Sequence, residues 1–197
     1  MNPNINNNVN QKPNSYKLLL VGTRASGKTS FLRRLEYGIV DIPYVPTKYI
    51  NVRSLDIVTT SGQFELGTWE INFNLDRLYR GADCAIIMFD LSHKSSYDDI
   101  YYYYNELRSV NADVPIIVVG NKLDVPYSEV GVDVIPTIDI IRNLYSTHLI
   151  HNADFDNVLS NNYCEVSTKD GRNIDKPISI MLRLLTKTDI KLIREID

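Results

Sequence analysis

Short apolar runs alternate with segments of helical periodicity along most of the chain. Three runs are almost continuously apolar, as strands in the middle of a parallel sheet are: Tyr16–Val21, Cys84–Asp90 and Pro115–Val119. Two further runs, Tyr49–Thr59 and Gln63–Ile71, alternate between apolar and polar residues and meet at Thr60-Ser61-Gly62. This arrangement predicts a hairpin.

Helical spacing of apolar residues separates these runs. The predicted helices are Lys28–Glu36, Ser95–Arg108 and Ile174–Thr186. Strands that alternate with helices indicate a layered α/β domain, which we place at residues 15–197. Residues 1–14 are dominated by asparagine and contain too few apolar residues to offset the entropy of ordering, so they are expected to form a disordered tail.

Composition narrows the functional classes. The chain has 197 residues and a net charge of −3, so it lacks the basic excess that binding to a nucleic acid requires. No apolar run approaches the roughly 18 residues that span a bilayer. Cys84 and Cys164, the only cysteines, lie in apolar stretches that suit a protein core. We therefore expect an intracellular protein in a reducing compartment, without disulfides.

A phosphate-binding motif lies between the first predicted strand and the first predicted helix. Residues 22–29, GTRASGKT, match the pattern G-x-x-x-x-G-K-[ST] in the strand–loop–helix context that this motif needs. Its glycines let backbone N–H groups turn towards a phosphate, and the helix N-terminus adds positive potential. Lys28 would reach the β- and γ-phosphates, and the Thr29 hydroxyl would ligate magnesium.

Two further motifs suit recognition of a guanine base. Asn121-Lys122-Leu123-Asp124 follows a buried strand at the carboxyl edge of the predicted sheet, where ligands of open α/β sheets bind. The Asp124 carboxylate can accept from guanine N1–H and the exocyclic amine together, while Asn121 and Lys122 would brace the loop. Ser167-Thr168-Lys169 follows a predicted strand over Tyr163–Val166 and would offer a backbone donor to guanine O6.

With these motifs the chain resembles the small GTPases of the Ras superfamily and, within it, the Ran family, over about residues 16–187. The Ran likeness lies in Cys84–Asp90, in Tyr44-Val45-Pro46-Thr47 and in Lys176-Pro177. The resemblance implies a P-loop fold with a six-stranded, mostly parallel sheet, and binding of GTP or GDP with Mg²⁺. The implied nucleotide-binding residues are Gly22, Thr23, Arg24, Ala25, Ser26, Gly27, Lys28, Thr29, Ser30, Thr47, Asn121, Lys122, Asp124, Ser167, Thr168 and Lys169.

The same resemblance implies the metal and catalytic residues. Thr29, Thr47 and, through a water, Glu70 would hold magnesium, and Thr47 and Asn74 would take part in hydrolysis. The chain departs from the family where W-D-T-A-G-Q is expected, because it has Trp69-Glu70-Ile71-Asn72-Phe73-Asn74. Phe73 replaces the glycine that contacts the γ-phosphate, and Asn74 replaces the glutamine that orients water. The second switch is also shorter, so hydrolysis is expected to be slow or absent.

Other departures concern the loop that binds phosphate and the base-binding edge. Arg24 occupies a position that is often glycine, where it would crowd the water, point into solvent, or stabilise transition-state charge. Val40 replaces a phenylalanine that packs on guanine in many members. An insertion within about residues 126–162, with helical spacing over Pro136–Ile150, is either a partner surface or a neutral elaboration.

The expected role is that of a monomeric nucleotide switch in the cytoplasm or nucleus. Its partners would be an exchange factor and effectors or receptors of nucleocytoplasmic transport. No C-terminal cysteine motif for prenylation is present, so no lipid anchor is expected. Two alternatives remain open: a binding module that holds GTP without cycling, and a Rab-like trafficking GTPase.

Overall fold

A computed structural model describes four parts of the chain, residues 14–38, 49–72, 76–125 and 153–193. The strands within them are β1 (Asn14–Val21), β2 (Ile50–Thr59), β3 (Gly62–Ile71), β4 (Cys84–Asp90), β5 (Ile116–Asn121) and β6 (Tyr163–Glu165). The helices within them are α1 (Lys28–Tyr37), α2 (Asp76–Tyr79), α3 (Lys94–Asp98), α4 (Ile100–Val110), α5 (Ala153–Asn161) and α6 (Lys176–Thr186).

The six strands form one sheet in the order β2-β3-β1-β4-β5-β6. β2 and β3 pair antiparallel, and each of the other neighbouring pairs is parallel. Helices flank this sheet, so the predicted α/β fold is confirmed. The phosphate motif and both base-side motifs follow β1, β5 and β6, and parallel pairing brings the carboxyl ends of these strands to one edge of the sheet.

The strand predictions are close to the observed bounds. β4 coincides with the predicted Cys84–Asp90. β1 begins at Asn14, inside the predicted tail, because Asn14 already pairs with Phe64 of β3. In the hairpin, Thr59 pairs with Gly62, so Gly62 belongs to β3 and the turn is narrower than predicted. Gly62 has a φ of +114°, a conformation that glycine adopts without strain.

The predicted single helix over Ser95–Arg108 is wrong, because Asp99 interrupts it between α3 and α4. The Ser96 hydroxyl donates to the carbonyls of Asp90 and His93 and accepts from the Asp90 N–H at 2.9 Å. These bonds join the start of α3 to the end of β4. The predicted helix from Ile174 likewise begins two residues later, with Pro177 in its first turn, where proline is tolerated.

Apolar side chains fill both faces of the sheet. One core packs α4 and α5 on β4 and β5, and the other packs α1 and α6 on β1, β3 and β4. Cys84 and Cys164 are buried as free thiols, so the prediction that both are core residues is confirmed. Tyr104 is buried and Tyr102 is half exposed, as expected for consecutive aromatics on one helix. Among the described residues, no helix combines the length and apolar character needed to cross a bilayer.

Candidate functional site

The loop Gly22–Thr29 joins β1 to α1, and two of its glycines have conformations that other residues rarely adopt. Gly22 has a φ of +133°, and a Cβ atom there would lie 2.0 Å from the carbonyl oxygen of Met88. Gly27 has a φ of +98°, and a Cβ atom there would lie 2.0 Å from Asn121 Nδ2. The motif therefore needs glycine at both positions because neighbouring groups leave no room for a side chain.

Lys28, the first residue of α1, places its ammonium group inside this loop. Lys28 Nζ donates to the carbonyls of Gly22 and Thr23 at 2.8 and 2.7 Å. The residue is only 3% exposed. Burial is the main cause that lowers the pKa of Lys28 to about 8, against a smaller raising effect of Glu70 and with a further lowering by Arg24. A phosphate at this loop would supply the negative charge that the buried ammonium needs.

Thr29 and Glu70 meet beside this ammonium group. Thr29 Oγ1 donates to Glu70 Oε1 at 2.5 Å, which links the start of α1 to the end of β3. Glu70 is 2% exposed. A hydroxyl and a carboxylate oxygen are the donors that Mg²⁺ prefers, so both residues fit such an ion. No cluster of three or more His, Cys, Asp or Glu side chains suited to a metal occurs in the described ranges, so other ligands would have to come from the nucleotide, water or residues outside them.

A cavity of about 290 Å³ opens over the loop. Its lining residues are Arg24, Ala25, Gly27, Lys28, Thr29, Ser30, Glu70, Asn72, Asn121, Lys122 and Thr168. They come from all three predicted motifs, which the fold therefore brings together. Arg24 and Ala25 are exposed at the rim.

Asn121 connects the phosphate motif to both base-side motifs. Its fully buried amide group donates from Nδ2 to the Ser26 carbonyl at 2.8 Å and accepts at Oδ1 from the Thr168 N–H at 3.1 Å. A buried amide that bonds two loops holds them at a fixed separation. This arrangement gives the predicted bracing by Asn121 a specific geometry.

Lys122 contacts a residue that the sequence motifs did not indicate. Its Nζ lies 2.6 Å from Asp90 Oδ2, at the end of the neighbouring strand β4. Burial would raise the pKa of Asp90, but hydrogen bonds from Lys122 and Ser92 outweigh it and lower that pKa. A carboxylate that ends an apolar strand at the ligand edge was the available signal for this residue.

Asp124, the last residue of the first base-side motif, contacts the second one. Its Oδ1 accepts from Ser167 Oγ at 2.7 Å, and Lys169 Nζ lies 3.8 Å from its Oδ2. Ser167 Oγ also accepts from the Asp170 N–H at 3.1 Å. The carboxylate predicted to identify the base is therefore oriented by a buried serine of the third motif.

Several predicted features lie outside the described residues. They are Thr47, Phe73, Asn74, Val40, the segment Tyr44–Thr47 and the predicted helix Pro136–Ile150. Within the predicted insertion, the described part forms α5, whose Phe155 is fully buried against α4.

Residues 17–187 match the model of the Ras family. The match spans most of the chain and includes the phosphate loop and both base-side motifs, whose residues the fold gathers around one cavity. The chain therefore belongs to the Ras family of GTP-binding small GTPases.

Proposed function

We propose that this chain binds GTP or GDP with Mg²⁺ in the cavity above the phosphate loop, as a Ran-like nucleotide switch that hydrolyses GTP slowly or not at all. The observation that carries the proposal is the pair of hydrogen bonds by which Asn121 links Ser26 to Thr168. One buried side chain fixes the loop with the buried ammonium to the loop whose Ser167 orients the Asp124 carboxylate. Such an arrangement suits a ligand with a phosphate end and a purine end.

The phosphate end would be held by the backbone of the loop and by Lys28. Lys28 Nζ now bonds two carbonyls, and a β- or γ-phosphate oxygen would replace them as a stronger, charged acceptor. Thr29 would ligate magnesium directly, and Glu70 would hold the ion through a water molecule. When bound, the ion would neutralise charge that develops on the phosphates.

The purine end would be read by Asp124 and the 167–169 loop. The Asp124 carboxylate would accept from N1–H and from the 2-amino group of guanine, and the bond from Ser167 to Oδ1 fixes its orientation. Adenine offers no such pair of donors. The Lys169 stem would cover the base face.

Calorimetry on nucleotide-stripped protein tests binding directly. Titration with GDP and with GTP in the presence of Mg²⁺ should release heat, titration with ATP should release much less, and Lys28→Met should weaken binding of both guanine nucleotides. Absence of heat with both GDP and GTP would refute the proposal. Equal affinity for ATP and GTP would refute the base-reading role of Asp124.

Slow hydrolysis follows from Phe73 and Asn74, which replace the sensor glycine and the water-orienting glutamine of the family. A single-turnover assay on protein loaded with GTP should give a rate well below that of an ordinary family member. Asn74→Gln should raise that rate, and Asn105→Gln, the same change at an exposed position of α4, is the matched control. A wild-type rate equal to that of an ordinary member would contradict this part of the proposal.

A specific contact favours the non-cycling alternative, in which the protein holds GTP as a binding module. Lys17 Nζ donates to the carbonyls of Leu78 and Arg80 at 2.7 Å each, which fixes the short helix α2 to β1. In the family this region belongs to the second switch. Mostly GDP in the nucleotide extracted from purified protein would exclude a permanent GTP binder. Mostly GTP, together with no hydrolysis in the single-turnover assay, would support the non-cycling alternative.

The Ran-like assignment, and with it the proposed transport partners, is based on three segments: Cys84–Asp90, Tyr44–Thr47 and Lys176-Pro177. Pull-down with transport receptors of the importin class, using protein loaded with a non-hydrolysable GTP analogue, tests this finer assignment. Binding that requires the triphosphate supports it. Binding of Rab-type effectors in its place would assign the chain to trafficking.

A further inference from the structure

The guanidinium group of Arg34, in the last turn of α1, binds three backbone carbonyls at once. Arg34 Nε donates to the Thr168 carbonyl at 2.9 Å, and its two terminal nitrogens donate to the carbonyls of Lys169 and Gly38. Thr168 and Lys169 lie 134 and 135 residues further along the chain. A cation in the last turn of a helix favours the negative end of the helix dipole. That general effect does not account for contacts with the base-side loop.

The contact with Thr168 determines the direction of the next amide. In a planar trans peptide, the C=O of one residue and the N–H of the following residue point in opposite directions. Because Arg34 holds the Thr168 carbonyl, the Lys169 N–H points away from the guanidinium. Among the described residues no group accepts a hydrogen bond from this N–H, whereas the N–H groups of Thr168 and Asp170 are bonded to Asn121 Oδ1 and Ser167 Oγ.

We propose that Arg34 is a positioning residue for base recognition, which orients the Thr168–Lys169 peptide so that the Lys169 N–H donates to the 6-oxo group of guanine. The inference rests on the proposed function, since it assumes a guanine nucleotide in the cavity. It adds a specificity determinant on α1, the helix whose first residues face the phosphates.

The bond to Gly38 gives the same side chain a second anchor. Gly38 is the C-cap that follows α1, and its N–H donates to the Arg34 carbonyl at 3.1 Å. The guanidinium is therefore held by its own helix end while it holds the loop, which limits its freedom to swing away. A residue held in this way can keep a distant peptide oriented while the base is bound.

The test replaces Arg34 by methionine, which keeps the apolar stem and removes all three donors. The matched control is Arg33→Met, the same change of charge on the preceding residue of α1. Release of fluorescently labelled GDP should become about tenfold faster in Arg34→Met, the size expected for loss of about one hydrogen bond. Arg33→Met should release GDP at the wild-type rate.

Base analogues separate positioning from general stability. Wild type should prefer GDP over 6-thio-GDP, whose sulfur is a weak acceptor, by about tenfold, and Arg34→Met should reduce this preference to about twofold. The preference for GDP over IDP, which lacks only the 2-amino group read by Asp124, should stay unchanged. Arg34→Lys, which replaces the guanidinium and its three donating nitrogens by a single ammonium, should show an intermediate preference for GDP over 6-thio-GDP.

Three results would overturn the proposal. They are an unchanged GDP/6-thio-GDP preference in Arg34→Met, an equal loss of preference for both analogues, and the same effect in Arg33→Met. If Arg34→Met does not fold, the same criteria apply to Arg34→Lys. Failure of the wild-type protein to bind GDP or GTP at all would instead refute the proposed function, and calorimetry on wild type distinguishes this case.

Discussion

The buried ammonium of Lys28 makes the stability of the nucleotide-free protein depend on pH in a predictable way. Burial lowers the pKa of Lys28 to about 8 from the value of 10.5 for a solvated lysine. A shift of one pKa unit corresponds to about 1.4 kcal/mol, so this shift corresponds to about 3 kcal/mol. Since the side chain is 3% exposed, screening by solvent reduces this value little.

The sign follows from the proton balance of unfolding. Between pH 8 and pH 10.5 the folded protein has lost the Lys28 proton, whereas the unfolded chain still binds it. The free energy of unfolding should therefore gain a contribution that rises with pH through this window and reaches about 3 kcal/mol. Lys28→Met removes the titrating group, so this contribution should be absent from the variant.

Urea unfolding of both proteins at several pH values from 7.5 to 10, without nucleotide and with chelator, measures this difference. Burial also raises the pKa of Cys84 and Cys164 to about 12, which lowers stability above pH 9 in both proteins and cancels in the comparison. Lys94→Met, on the surface of α3, keeps the buried ammonium and should follow the wild-type curve. A difference between wild type and Lys28→Met that stays constant within about 0.5 kcal/mol over this range would refute the reasoning.

Three further substitutions test other contacts of the site. Asp124→Asn should shift the preference from guanine to xanthine nucleotides, because the amide offers a donor where the carboxylate accepts; competition between GDP and XDP measures it, and an unchanged preference removes Asp124 from the base site. Gly27→Ala should destabilise the protein by about 2–4 kcal/mol, because it strains the backbone and displaces Asn121. Gly62→Ala, at a similar φ but with open space around the new Cβ, should cost only the backbone strain of about 1–3 kcal/mol. Equal losses of stability in thermal unfolding would contradict the role of Asn121. Lys17→Met should speed hydrogen exchange of residues 76–80 by removing two hydrogen bonds from α2, and unchanged exchange would show that other contacts hold this helix.

The strands and the site motifs could be predicted from sequence because their signals are local. A continuously apolar run such as Cys84–Asp90 predicts a buried strand, and the observed strand β4 has the same bounds as the predicted one. The phosphate motif is eight consecutive residues and can be recognised from its pattern alone, although the contacts that require glycine at 22 and 27 are with Met88 of β4 and with Asn121.

The features that were missed depend on contacts between distant parts of the chain. Ser96 joins the start of α3 to the end of β4, and α3 ends before Asp99; no helical periodicity reveals either feature. Arg34 binds carbonyls more than 130 residues away, and a backbone acceptor leaves no mark in the sequence. The pairing of Lys122 with Asp90 depends on β4 and β5 being neighbours in the sheet, which only the topology establishes.

Alkylation of the two buried thiols can report which part of the sheet unfolds. Only the thiolate reacts readily with alkylating agents, so at neutral pH each cysteine becomes modifiable mainly when its surroundings unfold. Cys84 lies in the central strand β4, whereas Cys164 lies in the edge strand β6, three residues before Ser167 of the base-side loop. Unequal labelling of these two positions would therefore report local fraying beside the base pocket, and equal labelling would report concerted unfolding of the whole domain.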